Sequence, residues 1–244
     1  MTKIAIIIPT RLDAQRLPNK PLKLINNKEM ILHVYDLAVK ANTGDVLVAT
    51  PDQKIIDLIN NHGGHAVMTK NNHLTGTDRV YEVFENYLQK KPEIVINLQG
   101  DMPNLNPLAI KNLVEYMKSK LCEVGTLAST LDGEKEENDP NICKVITKKR
   151  IIQSKFDVAT NFYRSSKEIS ADFIYHHIGI YAFTNKALIR YVSLKRSKLE
   201  IERKLEQLRA LENGMKIHVG YIDACPLSVD TEQDLCEIKK IMES

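Results

Sequence analysis

Three cations stand directly behind an apolar run. Arg11, Arg16 and Lys20 follow residues 4–8 in "AIIIPTRLDAQRLPNKPL". Any one of them alone fits a solvated basic turn. Together, after a strand apolar throughout, they suit a polyphosphate. Arginine grips two phosphate oxygens at once, and lysine serves as a point charge. The pattern is not a P-loop, which requires G-x-x-x-x-G-K-[ST]; the first glycine of the chain is Gly44. Further on, "TGTDR" supplies the Thr75 and Thr77 hydroxyls, Gly76 for close backbone approach, and a helix amino terminus. Such a turn can hold a phosphate, a ribose or a base. An ordinary N-cap accounts for the same residues, and the two readings are compatible. Asp101 follows Gln99-Gly100 in "QGDMP", and Asp230 precedes Thr231 in "SVDTEQD". A turn explains the first acid and an N-cap the second. Yet magnesium is held by one or two carboxylates plus phosphate oxygens and waters, and two acids at strand ends suit that task. Phosphate with a divalent metal would use all four loops.

These loops need a scaffold. Residues 4–8 read as a strand covered on both faces, and 45–50, 65–69 and 93–99 as further strands. Helical spacing marks 30–40, 52–61 and 77–89, with Gly63-Gly64 stopping the second, and Pro107 opens another helix. Strands alternating with helices argue a parallel sheet with helices on both faces, and ligands then bind beyond the carboxyl ends of the strands. The second half is richer in strands: 124–130, 142–147 and 177–184, separated by polar loops such as "LDGEKEENDPN". A long helix is expected over 198–213, with Ile201, Leu205 and Leu208 on one face and Glu206 and Gln207 elsewhere. Its charges read as surface i,i+4 pairs. His176 and His177 precede "IGIY" and suit either sugar contact or a structural role. A strand over 216–222 and a final helix beginning at Asp230 complete the chain. Residues 164–172 read as the most mobile stretch.

Composition sets bounds. The 244 residues suffice for one α/β domain with an insertion, or two small domains. A net charge of +3 is too weak for a nucleic-acid face. No apolar stretch reaches the length of a membrane span, and the first residues lack a signal-peptide pattern. Cys122, Cys143, Cys225 and Cys236 form no C-x-x-C pair, so free thiols in a cytoplasmic protein are expected.

"IIIPTRLDAQRLPNKPL", "HLTGTDR", "NLQGDMP", "HIGIYAF", "LEQLRALENGMKIHV" and "VDTEQDL" occur in one order along almost the whole chain. In that order they resemble the 3-deoxy-manno-octulosonate (Kdo) cytidylyltransferase family. The resemblance implies an α/β fold: a mostly parallel, Rossmann-like nucleotidyltransferase sheet with a smaller strand-rich region for sugar binding and dimerisation. The expected division is a nucleotide-binding core over 1–120, the sugar-binding and dimerisation part over 121–215, and 216–244 returning to the core. The implied activity joins CTP to Kdo with magnesium, giving CMP-Kdo and pyrophosphate for lipopolysaccharide synthesis, in a cytoplasmic homodimer. By motif position, Pro9, Thr10, Arg11, Arg16 and Lys20 would wrap the nucleotide and its phosphates. Thr75, Gly76, Thr77, Arg79 and Gln99 would contact the nucleotide. Asp101 and Asp230 would bind magnesium, and with Arg11 and Lys20 they form the catalytic set. His177, Tyr181, Glu206 and Gln207 would hold the sugar acid.

The chain departs from the family pattern in three places. Met102 stands where most members carry Glu. Ser154-Lys155 is the nearest match to the usual Ser-Arg, and lysine lacks the bidentate grip of arginine. Arg203, beside Glu202, stands where Glu is usual. The last two lie in the sugar half. The alternatives are a cytidylyltransferase for a modified ulosonic acid such as an 8-amino variant, a metal-dependent glycosyltransferase, and a non-catalytic nucleotide-binding paralogue.

Overall fold

The structure, a computed structural model, describes residues 3–13, 16–119, 122–152, 156–164 and 171–243. Ser154, Lys155 and residues 165–170 of the expected mobile stretch lie outside these. The chain divides into two units, Met1–Lys111 with Pro226–Ser244, and Asn112–Cys225.

In the first unit the chain runs through β1 (Ile4–Pro9), the short hairpin β2 (Leu24–Ile25) and β3 (Lys28–Glu29), and α1 (Met30–Lys40). It continues through β4 (Asp45–Thr50), α2 (Gln53–Asn61), β5 (Ala66–Met68), α3 (Gly76–Asn86) and β6 (Ile94–Leu98). All of β1 is buried, as its unbroken apolar run requires. It lies between β4 and β6 and is parallel to both, and β5 adds in parallel beyond β4. The chain therefore moves outward from β1 to β4 and β5, then returns to β6 on the other side of β1. That reversal opens a crevice at the carboxyl ends of β1 and β6. The loops carrying Arg11 and Asp101 leave from those two ends.

The unit boundary falls inside α4 (Pro107–Ser119). The second unit continues with β7 (Val124–Ser129), α5 (Gly133–Asn138), β8 (Lys144–Thr147), β9 (Phe156–Tyr163) and β10 (Ile174–Thr184). It ends with α6 (Asn185–Ser193), α7 (Lys198–Arg203), α8 (Leu208–Glu212) and β11 (Ile217–Tyr221). Then α9 (Glu232–Glu243) belongs to the first unit again. Strand β7 pairs with β10 and β11, β11 with β9, β9 with β8, and β8 with β10. The pairings close into a circuit, which covers strand edges that would otherwise template aggregation. β10 pairs with β8 over Ile174–His176 and with β7 on both sides of a register shift between Ile178 and Tyr181.

Several expectations need correction. The first boundary falls at 111 rather than 120. The strand expected to return to the core, β11, is instead an inner strand of the second unit. Ile217 and Val219 are fully buried there, in parallel register with Val124 and Thr126. Only 226–244 returns. The acidic loop contains α5, and neither β9 nor α6 was foreseen. β9, "FDVATNFY", mixes polar and apolar residues without clean alternation.

The long helix over 198–213 is broken. Lys204 takes a left-handed conformation (φ 54°) between α7 and α8. Across this break Glu200 and Arg209, nine residues apart, form a buried ion pair. In an unbroken helix that spacing would set them about 180° apart, on opposite faces. The break folds α8 back so that they meet.

Candidate active site

The basic loop of the first unit is held from both sides. The Leu12 amide donates to Asp52 at 2.9 Å. Leu17 is buried in a cluster with Ile25, Met30, Val229, Leu235 and Ile238. That cluster joins the loop to α9 and to the segment before it. Lys20 then opens a single 3-10 turn whose second residue is the buried Pro21.

Asp101 and Asp230 converge. The Val229 amide donates to the Asp101 carbonyl at 2.9 Å, and the Leu227 amide to the Asn104 side chain at 3.0 Å. The C-terminal segment thus runs along the loop that follows β6. Asp230 is not the cap of α9. The Thr231 hydroxyl accepts from the Asp234 amide, and the Asp234 carboxylate accepts from the amides of Asp230 and Thr231. With capping done by Thr231, the Asp230 side chain faces the basic loop. Lys20 Nζ donates to Asp101 Oδ2 and to Asp230 Oδ1, both at 2.9 Å, and Arg16 Nη2 lies 2.9 Å from Asp230 Oδ2. Burial pulls the Lys20 pKa down, but the two carboxylates outweigh it and the pKa is raised.

The amino end of α3 forms another wall. Thr75 is the N-cap, its hydroxyl accepting from the Asp78 amide at 3.2 Å. At Gly76 a Cβ would lie 3.4 Å from both the Gln99 and Pro9 side chains, so the three loops touch here. Thr77 corrects the sequence reading: it is fully buried and faces the interior. Its hydroxyl accepts from Asn97 Nδ2 at 3.0 Å, and Asn97 Oδ1 accepts from Gln99 Nε2 at 2.9 Å. Thr77 therefore orients Gln99 through Asn97. A polar residue inside the apolar strand "IVINL" was the available sign of this chain. Arg79 is buried and donates to the Lys70 carbonyl at 3.0 Å, bracing the loop ahead of Thr75. Its pKa is lowered, first by burial and then by the nearby Arg11 charge.

Together these residues enclose a cavity of about 560 Å³. Pro9, Thr10, Arg11, Arg16, Lys20, Thr75, Gly76, Arg79, Gln99, Asp101 and Asp230 line it, and Thr77 does not. His73, which the sequence did not single out, also lines it and is bonded to Glu82. The volume is that of a small-molecule site. Among the described residues no group of three or more His, Cys, Asp or Glu could hold a metal alone. The oxygen pair of Asp101 and Asp230, aimed at one cation, fits a hard divalent ion whose other ligands are phosphate oxygens and water.

The second unit holds the four residues expected at the sugar. Tyr181, Glu206 and Gln207 line one small cavity. His177 adjoins it through a 3.1 Å hydrogen bond to the Tyr181 hydroxyl, and it lies 3.0 Å from the Thr126 hydroxyl. Burial, then the charges of His176 and Arg164, lower its pKa to about 3, so the ring is neutral. It offers a dipole, not a charge. Gln207 Nε2 donates to Cys143 Sγ at 3.4 Å, and the Glu206 carbonyl accepts from Tyr191 at 2.7 Å. Of the departures, Met102 is buried, and Arg203 donates to Asn161 and to the Phe162 carbonyl of β9.

A family model described as cytidylyltransferase matches residues 5–217. The chain belongs to this family. A 3-deoxy-manno-octulosonate cytidylyltransferase of Paramagnetospirillum magneticum is 39% identical over 240 residues, covering 98% of this chain and 97% of that protein. One from Rhodopseudomonas palustris is 41% identical over 242 residues, covering 99% and 98%. Among solved structures, a CMP:2-keto-3-deoxy-manno-octonic acid synthetase complexed with CTP has a TM-score of 0.89 at 33% identity, with 99% of each chain covered. The family and fold class read from the sequence are thus the observed ones, and the cytidylyltransferase is a nucleotidyltransferase enzyme.

Proposed function

We propose that this cytidylyltransferase transfers CMP from CTP to the anomeric hydroxyl of 3-deoxy-D-manno-octulosonate, giving CMP-Kdo and pyrophosphate for lipopolysaccharide synthesis. One observation carries the proposal. Arg11, Arg16 and Lys20 meet Asp101 and Asp230 in one cavity, in a chain related throughout its length to a synthetase solved with CTP. The hydroxyl gives up its proton to water, its oxygen bonds to the α-phosphorus, the bond from that phosphorus to the bridging oxygen breaks, and pyrophosphate leaves with the electron pair. Such a reaction asks a protein mainly for positioning and charge neutralisation. Arg11, Arg16 and Lys20 supply positive charge along the phosphates. Gln99, oriented by Asn97 and Thr77, faces the nucleotide beside Thr75 and Gly76. Asp101 and Asp230 would hold magnesium, which when bound neutralises phosphate charge and acidifies a coordinated hydroxyl. His177, Tyr181, Glu206 and Gln207 hold the sugar acid. The protein acts as a cytoplasmic homodimer. Among the described residues, no helix is long and apolar enough to cross a membrane.

Arg203 favours a second reading, transfer to a modified ulosonic acid, because it occupies a position where the family pattern has Glu. Product mass from CTP, magnesium and a panel of ulosonic acids separates the two. CMP-Kdo supports the first; turnover of another acid with none of Kdo refutes it. Asp101→Asn should lower turnover by at least about a hundredfold, the scale of losing a charge-stabilising group. Unchanged turnover would remove Asp101 from the metal set. Light scattering checks the dimer.

A further inference from the structure

The Lys20 ammonium sits where a divalent cation would be expected. It lies 2.9 Å from a carboxylate oxygen of Asp101 and 2.9 Å from one of Asp230. Those acids are 81 and 210 residues away in sequence, so the fold assembles the trio. Arg16 takes the other oxygen of Asp230 at 2.9 Å. The negative charge of the acid pair is matched from within the chain.

We infer that Lys20 is an interlock that keeps divalent metal out until a triphosphate arrives. This rests on reading the cavity as a metal–triphosphate site. A metal ion approaching alone meets an ammonium between the two carboxylates it needs. A triphosphate offers Lys20 and Arg16 several anionic oxygens in exchange. Leu17 and Pro21 are buried, so the backbone around Lys20 stays in place. The flexible four-carbon stem is free to carry the ammonium from the acids to the phosphate. The vacated carboxylates then become available. Metal and nucleotide binding are coupled through one side chain, and by linkage each must strengthen the other equally.

The test is manganese binding to the nucleotide-free protein, followed by electron paramagnetic resonance. The unaltered protein should bind manganese weakly. Lys20→Met should bind it at least about tenfold more tightly, within the usual range of coupling between linked sites. Lys20→Arg keeps the charge and should match the unaltered protein. Equal affinity in Lys20→Met and the unaltered protein would overturn the inference, as would an equal gain in Lys20→Arg. If Lys20→Met does not fold, the unaltered protein decides. CTP must raise bound manganese above the sum bound by protein alone and by CTP alone, and simple additivity would overturn the interlock. None of these measurements uses a sugar. A protein that makes CMP-Kdo yet shows no manganese gain refutes the interlock alone. One with the gain but no product from any ulosonic acid refutes the proposed function alone.

Discussion

Replacing Glu200 by leucine tests what holds the α7–α8 turn, where Glu206 and Gln207 are displayed. The Glu200 side chain is 1% exposed. It accepts from Arg209 Nε at 2.9 Å and Nη2 at 2.7 Å, from Arg196 Nε at 2.9 Å, and from the Ser197 amide at 3.2 Å. Arg209 is 3% exposed and lies 4.8 Å over the Tyr191 ring. Removing the carboxylate leaves a buried guanidinium without its main counter-charge, which costs about 3–5 kcal/mol. In a chain of this size that lowers the melting temperature by roughly 6–20 °C. Arg209→Met should cost a similar amount. The double variant replaces both ions by apolar groups and should recover most of the loss, because a buried pair itself contributes little net stability. Urea unfolding of the four proteins yields the coupling energy. The KM for the sugar acid should rise in each single variant, while CTP affinity stays constant. Single costs below about 1 kcal/mol, or a double variant that costs the sum of the two, would refute the reasoning.

Other outcomes follow from the same geometry. Leu17→Ala opens the cluster under the basic loop and should cost about 2–5 kcal/mol, with weaker CTP binding read by calorimetry. Thr77→Val removes the acceptor for Asn97 and should cost about 1 kcal/mol. It should raise the KM for CTP without changing that for the sugar acid. For His177, with a folded pKa of about 3, the neutral form is the native one. Stability from this group is fully present above the unfolded value of about 6.5, and it is lost at about 1.4 kcal/mol per unit as pH falls from there toward 3. Denaturation at pH 7 and pH 5 should show a larger acid loss than His177→Gln does. Equal losses would mean that His177 titrates normally in the folded chain.

The legible features were local ones. The apolar run before Pro9 specified a strand buried on both faces, and 3.6-residue spacing marked α1, α2 and α3. The turn-borne cations and acids stood out in the sequence, and the fold brings Arg11, Arg16, Lys20, Asp101 and Asp230 to one cavity. Thr77 was misplaced because hydroxyls at Thr75 and Thr77 look alike in sequence, and helix rotation sends one outward and the other to Asn97. In sequence Asp230 suits a cap as well as a metal ligand, because Thr231 beside it offers the same cap; the fold gives the cap to Thr231. The second unit was harder. Its strands are held by pairings across long loops, and β9 lacks the alternation that would announce it.

The sequence by itself determined that one chain carries a basic loop after a buried strand and two distant acids, with the elements to place them at a crevice. Only the tertiary structure decided that Lys20 bridges both acids and that Glu200 and Arg209 meet across a break between two helices. The physical reason is the range of the forces. Hydrophobic periodicity is a property of neighbours along the chain. An ion pair across 81 or 210 residues exists only after the sheet, the Leu17 cluster and α9 have brought its partners within 3 Å.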